Sequence, residues 1–201
     1  MPPIESAPWL LSFVGILAYL LGSVPFGVVA SRLFGLGDLR QIGSGNIGAT
    51  NVLRTGHKAA AALTLLGDAG KGAAAVLIAR TLVGEDAAQL AGLTAFLGHL
   101  FPIFLGFAGG KGVATFLGVL LALSWPVGAA ACGMWLFLAG AMRYSSLSAL
   151  GAALSAPVFA LMLGRDSMVI LCLALATLVF VTHRHNIRRL AAGTEPKIGQ
   201  S

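Results

Sequence analysis

The sequence predicts an all-α bundle of seven membrane-spanning helices, and three observations predict it. Of the 201 residues 57% are hydrophobic and only 10% are charged, and mean hydropathy is +0.89. A soluble domain carries about 25% charged residues, so this chain has too little polar surface to cover a globule in water. The apolar residues fall in blocks of bilayer-crossing length, where a helix satisfies its own backbone polar groups. The 27 glycines and many alanines fit the same class, because small residues let helix backbones approach closely in lipid.

The blocks run roughly over 9–34, 59–83, 87–107, 112–124, 126–141, 146–164 and 167–183. Within the first, Gly22-Ser23-Val24-Pro25 either kinks the helix or serves helix packing. The fourth and fifth are short, and Ser124-Trp125-Pro126 reads as the turn between them, since proline removes a backbone donor and ends a helix. Alternate connectors are basic. Arg40, Arg54 and Lys58 lie after the first block, Lys111 after the third, Arg143 after the fifth, and Arg184, Arg188, Arg189 and Lys197 in the tail. The connector after the second block holds Glu85 and Asp86. By the positive-inside rule the basic connectors are cytoplasmic, which puts the N-terminus outside and the C-terminus inside. The start lacks the basic n-region of a cleaved signal peptide. No internal repeat or long linker is visible, and residues 1–201 read as a single membrane-embedded domain.

Several function classes are disfavoured. The net charge of +6 comes without a basic run or an aromatic-interleaved basic face, so no nucleic-acid partner is expected. Cys132 and Cys172 lie inside apolar blocks with no zinc or redox spacing. The carboxylates are scattered singly, which argues against a metal site, and no cofactor is expected.

Polar residues concentrate in the connectors read as cytoplasmic. Gly43-Ser44-Gly45-Asn46-Ile47-Gly48-Ala49-Thr50-Asn51-Val52-Leu53-Arg54 holds hydroxyls, amides and an arginine but no carboxylate. Glycines let successive backbone N–H groups face one concavity, which suits an anion, and arginine adds a bidentate phosphate clamp. A flexible connector is the plainer alternative. Gly106-Phe107-Ala108-Gly109-Gly110-Lys111-Gly112 opens a predicted helix, where the helix dipole adds to the lysine charge. It lacks the G-x-x-x-x-G-K-[ST] pattern of a nucleotide P-loop, so ATP and GTP are rejected; a membrane-interface turn with a snorkelling lysine stays open. The tail His183-Arg184-His185-Asn186-Ile187-Arg188-Arg189 reads as a basic flank that carries more histidine and amide than a flank needs. Asp68 and Lys71 share one helical face inside the second block, and structural pairing and a functional role are both open. His57 and His99 read as satisfied polar residues. One of Ser145 and Ser146 reads as a helix N-cap.

At these motifs the sequence resembles the bacterial acyl-phosphate-dependent glycerol-3-phosphate acyltransferases, the PlsY family. The likeness rests on Ser44-Gly45-Asn46-x-Gly48-Ala49-Thr50-Asn51-x-x-Arg54, on Gly109-Gly110-Lys111-Gly112-Val113-Ala114-Thr115, and on His183-x-x-Asn186-Ile187-x-Arg189-Leu190-x-x-Gly193-x-Glu195. Gly22-Ser23-x-Pro25, Asp68-x-x-Lys71-Gly72 and Tyr144-x-Ser146-Leu147 also match, so it covers nearly the whole chain.

The resemblance implies transfer of a fatty acyl group from acyl phosphate to the 1-hydroxyl of glycerol 3-phosphate at the cytoplasmic face of the bacterial inner membrane. On that reading Ser44, Asn46, Thr50, Asn51, Arg54, Lys71 and Lys111 hold phosphates and developing charge. Gly109, Gly110 and Gly112 bind substrate, their loop offering free N–H groups to a phosphate, His183 and Asn186 position the attacking hydroxyl, and Ser146 and Glu195 complete the substrate-binding set. The donor arrives through the lipid or from the soluble enzyme that makes acyl phosphate, and the sequence leaves both open.

The residues fit direct acyl transfer. No His-x4-Asp dyad is present, because the residues five after the histidines are Ala62, Phe104, Arg188 and Leu190. No cysteine sits in a polar loop to carry an acyl group. The proton acceptor is either a phosphate oxygen of the donor or His183. A transporter for a phosphate-bearing solute would share the basic loops, but it needs polar groups around a midplane site in paired halves, and here they gather on one side.

Overall fold

Proline decides where the first apolar block breaks. In the computed structural model, which describes residues 1–199, that block is two helices, α1 (Pro8–Gly22) and α2 (Phe26–Leu33). Pro8 stands in the first turn of α1, where its missing N–H is harmless. Pro25 precedes α2 and closes off continuation of α1. The remaining helices are α3 (Ala49–Leu53), α4 (Lys58–Leu82), α5 (Glu85–Leu100), α6 (Val113–Leu123), α7 (Trp125–Met142), α8 (Ser145–Met162), α9 (Val169–Thr182) and α10 (Arg184–Ala191). Among the described residues there is no strand.

Five segments are long and apolar enough to cross a membrane: Pro8–Leu33, Lys58–Leu82, Glu85–Leu105, Trp125–Met142 and Ser145–Met162. A sixth arises if Asp166–Thr182 and Arg184–Ala191, bent by 64°, count as one span. Val113–Leu123 is apolar but has only 11 residues, about 16 Å of helix against a hydrocarbon core of about 30 Å.

The chain divides into two compact units, one of residues 3–123 and one of residues 124 onward together with Met1–Pro2. In the first, close approach of backbones sets the packing. A Cβ on Gly98 of α5 would run into the backbone of Tyr19 and Ser23 at the end of α1. One on Gly118 of α6 would overlap the backbone of Ala69 in α4. These contacts exist because both positions lack a side chain, as small-residue packing in lipid requires. His57 caps α4 by accepting from the Ala60 N–H at 3.1 Å, so its role is local. Arg80 closes the C-terminal end of α6 by donating to the carbonyls of Ala122 (2.6 Å) and Leu123 (3.0 Å), and it pairs with Glu85 at 2.8 Å.

In the second unit Ser124 holds the N-cap position of α7, and Pro126 lies in its first turn. Cys172 is buried and Cys132 half-buried, both as free thiols. Neither Ser145 nor Ser146 caps α8. Tyr144 occupies that position without a side-chain bond, and the Ser146 hydroxyl is committed elsewhere.

Candidate functional site

The first loop is built around Asn51. Its Oδ1 accepts from the backbone N–H of Ser44 (3.0 Å) and from the Ser44 hydroxyl (3.3 Å), while its Nδ2 donates to the Leu39 carbonyl at 2.9 Å. Asn51 is only 2% exposed, so it shapes the loop from beneath, and Ser44 and Thr50 stand exposed above it. Asn46 accepts from the Gly48 N–H at 3.0 Å just before α3. The Arg54 side chain lies over Gly43, where a Cβ would stand 2.7 Å from its Cδ and 3.0 Å from its Nη1. Gly43 has φ +52°, a conformation glycine adopts without penalty. The guanidinium is thereby folded back over the loop that carries Ser44 and Asn46.

The second loop meets the first. Arg40 Nη2 donates to the Ala108 carbonyl at 3.1 Å, a tie between residues 68 positions apart that no local pattern predicts. A cavity of about 530 Å³ opens beside it, lined in part by Arg32, Asp38, Arg40, Ile47 and Leu105. The expectation that the glycine amides face an anion needs revision here. The N–H of Gly109 donates to the Leu100 carbonyl (3.1 Å) and that of Gly110 to the His99 carbonyl (3.2 Å). Gly112, at φ +81°, packs on the Phe96 ring. These three glycines fix the path of the loop that carries Lys111 to the start of α6.

Lys71 is not among the exposed donors. Its Nζ lies 2.9 Å from Asp68 Oδ1 and donates to the Val24 carbonyl at 2.8 Å, and its side chain is 1% exposed. The pair ties α4 to the break after α1. His99 Nδ1 stands 3.5 Å from the same Asp68 oxygen. The Thr115 hydroxyl donates to the Asp68 carbonyl at 2.8 Å, which ties α6 to α4 at this level.

In the second unit the centre is Glu195. Its Oε1 accepts from Ser146 Oγ (2.7 Å) and Asn186 Nδ2 (2.6 Å), and its Oε2 accepts from Arg189 Nε (2.7 Å). Burial works to raise its pKa, but these hydrogen bonds and the Arg189 charge outweigh that and hold it below the ordinary carboxylate range. A carboxylate with three donors clasps the tail to α8 and α10. Arg189 was missed as a site residue because its partner lies beyond the helix end. The tail is also tied at Ile198, whose N–H donates to the Arg143 carbonyl at 2.6 Å. His183, 3% exposed, sits at the 64° bend before α10. Its Nδ1 is 2.8 Å from the Val179 carbonyl. A carbonyl only accepts, so Nδ1 carries a proton.

Among the described residues no group of three His, Cys, Asp or Glu side chains is placed to hold a metal ion. The family model described as glycerol-3-phosphate acyltransferase matches residues 12–193. A glycerol-3-phosphate acyltransferase of Jannaschia sp. (strain CCS1) is 65% identical over 201 residues, covering 100% of this chain and 99% of that protein. One from Cereibacter sphaeroides (strain ATCC 17025) is 65% identical over 200 residues, covering 100% and 95%. The crystal structure of PlsY, an integral membrane glycerol 3-phosphate acyltransferase, superposes in its glycerol 3-phosphate form with TM-score 0.89 at 41% identity, over 94% of this chain and 96% of that one. Its lysophosphatidic acid form gives 0.87 at 40% identity, over 94% and 95%.

Proposed function

Because the chain belongs to the glycerol-3-phosphate acyltransferase family, we propose that it transfers a fatty acyl group from acyl phosphate to the 1-hydroxyl of sn-glycerol 3-phosphate. The products are lysophosphatidic acid and inorganic phosphate, and the step is the first acylation of phospholipid biosynthesis. One observation carries this reading: two glycine-rich loops with basic and hydroxyl side chains are joined by Arg40 within a frame of apolar helices. Both substrates bear phosphate, and one bears a long chain that only an apolar surface accommodates.

The reaction needs no covalent enzyme intermediate. The glycerol hydroxyl oxygen attacks the acyl carbon, the bond from that carbon to the phosphate oxygen breaks, and the proton ends on the released phosphate. Arg54 and Lys111 offset the charge that builds on the carbonyl and phosphate oxygens. Ser44, Asn46 and Thr50 supply further contacts, and Asn51 holds their loop. His183 and Asn186 orient the attacking hydroxyl. We assign the proton to a phosphate oxygen of the donor, which requires no protein base.

Counting the short helix α6 and the bent pair α9–α10 as spans gives seven, with the N-terminus outside and the loops facing the cytoplasm from a bacterial inner membrane. The family model's reach over 12–193 supports treating the chain as one acyltransferase domain. The deciding experiment is purified protein with acyl phosphate and glycerol 3-phosphate, assayed for phosphate release. Comparable turnover with acyl-CoA in place of acyl phosphate defeats the donor assignment.

A further inference from the structure

Beneath the second loop lies a buried polar cluster that the reaction does not use. Asp68, Lys71 and His99 are 2%, 4% and 5% exposed. Burying two charges and an imidazole among apolar helices is costly, and pairing of Lys71 with Asp68 offsets only part of it. His99 lies at the centre. Its Nδ1 faces Asp68 Oδ1 at 3.5 Å, and Lys71 meets the same oxygen from the other side at 2.9 Å. The far edge of its ring faces the loop. A Cβ built on Gly110 would overlap His99 Nε2 and stand 3.1 Å from its Cε1 and 3.3 Å from its Cδ2. The Gly110 N–H donates to the backbone carbonyl of the same histidine. Gly110 is thus a glycine because an imidazole occupies the space its side chain would fill.

We infer that His99 is a positioning residue that sets the height of the Gly109–Lys111 loop and so the place where Lys111 meets the phosphate of glycerol 3-phosphate. Asp68 Oδ1 stands 3.5 Å behind the ring, a charge contact longer than a formed hydrogen bond. Lys71 balances the carboxylate and anchors it to the Val24 carbonyl at the α1–α2 break. His99 touches no substrate and acts only through the loop resting on it. The inference rests on the reading of this loop as phosphate-binding.

The test compares variants of the full chain, purified and assayed with acyl phosphate and varied glycerol 3-phosphate, with the thermal midpoint measured alongside. His99→Asn keeps an amide nitrogen near the place of Nδ1, facing Asp68, but removes the ring edge beneath Gly110. It should raise KM for glycerol 3-phosphate about 10-fold with kcat little changed, because small misplacement of a binding group is expensive. His99→Gln keeps a nitrogen near the place of Nε2, toward the loop, and should stay closer to the wild-type KM even where it melts lower. Gly110→Ala should raise KM to a similar degree in the wild-type background, yet add little to His99→Asn, since the methyl group then has room. Losses that simply multiply in the double variant, or a KM that follows the melting temperature in both histidine variants, overturn the inference. Lys111→Ala separates the two levels. If it keeps wild-type constants, the phosphate reading of the loop fails and the inference with it. If it is crippled while His99→Asn retains the wild-type KM, the positioning role alone is refuted.

Discussion

The Glu195 clasp yields a prediction whose size follows from its three donors. Glu195→Ala leaves the Asn186 amide, which is 5% exposed, without its acceptor. A buried donor left unsatisfied costs about 1–3 kcal/mol. Arg189 is 39% exposed, so its loss adds no more than about 1 kcal/mol. The Ser146 hydroxyl can re-aim and adds little. The total is roughly 1–4 kcal/mol, or a fall of roughly 2–16 °C in the melting temperature of a chain this long. Glu195→Gln should be milder. Its remaining oxygen can serve Ser146 and Asn186 while its new amide faces Arg189, which turns to water, so the cost is about 1 kcal/mol. The lowered pKa of Glu195 fixes the pH dependence. Its stabilisation is complete above the unfolded-state value of about 4.3 and is lost as pH falls through the lower folded value. The gap between wild type and Glu195→Ala should therefore close in acid. Scanning fluorimetry of detergent-purified protein across pH measures it. Equal melting temperatures for wild type and Glu195→Ala at neutral pH would refute the clasp.

The other predictions concern the chemistry and the topology. Arg54→Ala should lose on the order of 10²-fold or more in turnover, as removal of a charge-stabilising group does, and Lys111→Ala should also lose most activity; near-wild-type rates for both at matched expression would end the phosphate reading of the loops. His183→Ala should lose less than about 10²-fold, below the range of a general base, and a deeper loss persisting at high pH transfers the proton-accepting role to its Nε2. EDTA should leave turnover unchanged, and inactivation reversed by a divalent ion would show a metal requirement. Pro3→Cys and Gly199→Cys should label from opposite sides of sealed cells, whereas labelling from the same side contradicts an odd number of spans.

How much could be read from the sequence depended on how local each interaction is. The helical class and the turn at Ser124 follow from neighbours in the chain, and each is where the sequence places it; the break at Pro25 is one of two readings the sequence left open, and the His57 cap is a local contact it did not specify. The Asp68–Lys71 pair is also local, three residues apart on one helix, but its burial is not. Only the α1–α2 break and His99 show that it braces the frame. The resemblance implies a phosphate contact for Lys71, and the structure places it in an interior ion pair. The Glu195 clasp is non-local in the same way, because the chain beyond α10 gives no hint that it turns back onto Ser146. The glycines of the second loop carry the sharpest case. Composition cannot separate a glycine that exposes its amide to an anion from one that yields space to a neighbour. At Gly110 the neighbour is a histidine on another element, and the amide is already bonded to that histidine's carbonyl. A methyl group at position 110 would therefore strike protein before it met any phosphate. A rise in KM from Gly110→Ala would then report a displaced loop, which is why its dependence on the residue at 99 is the informative measurement.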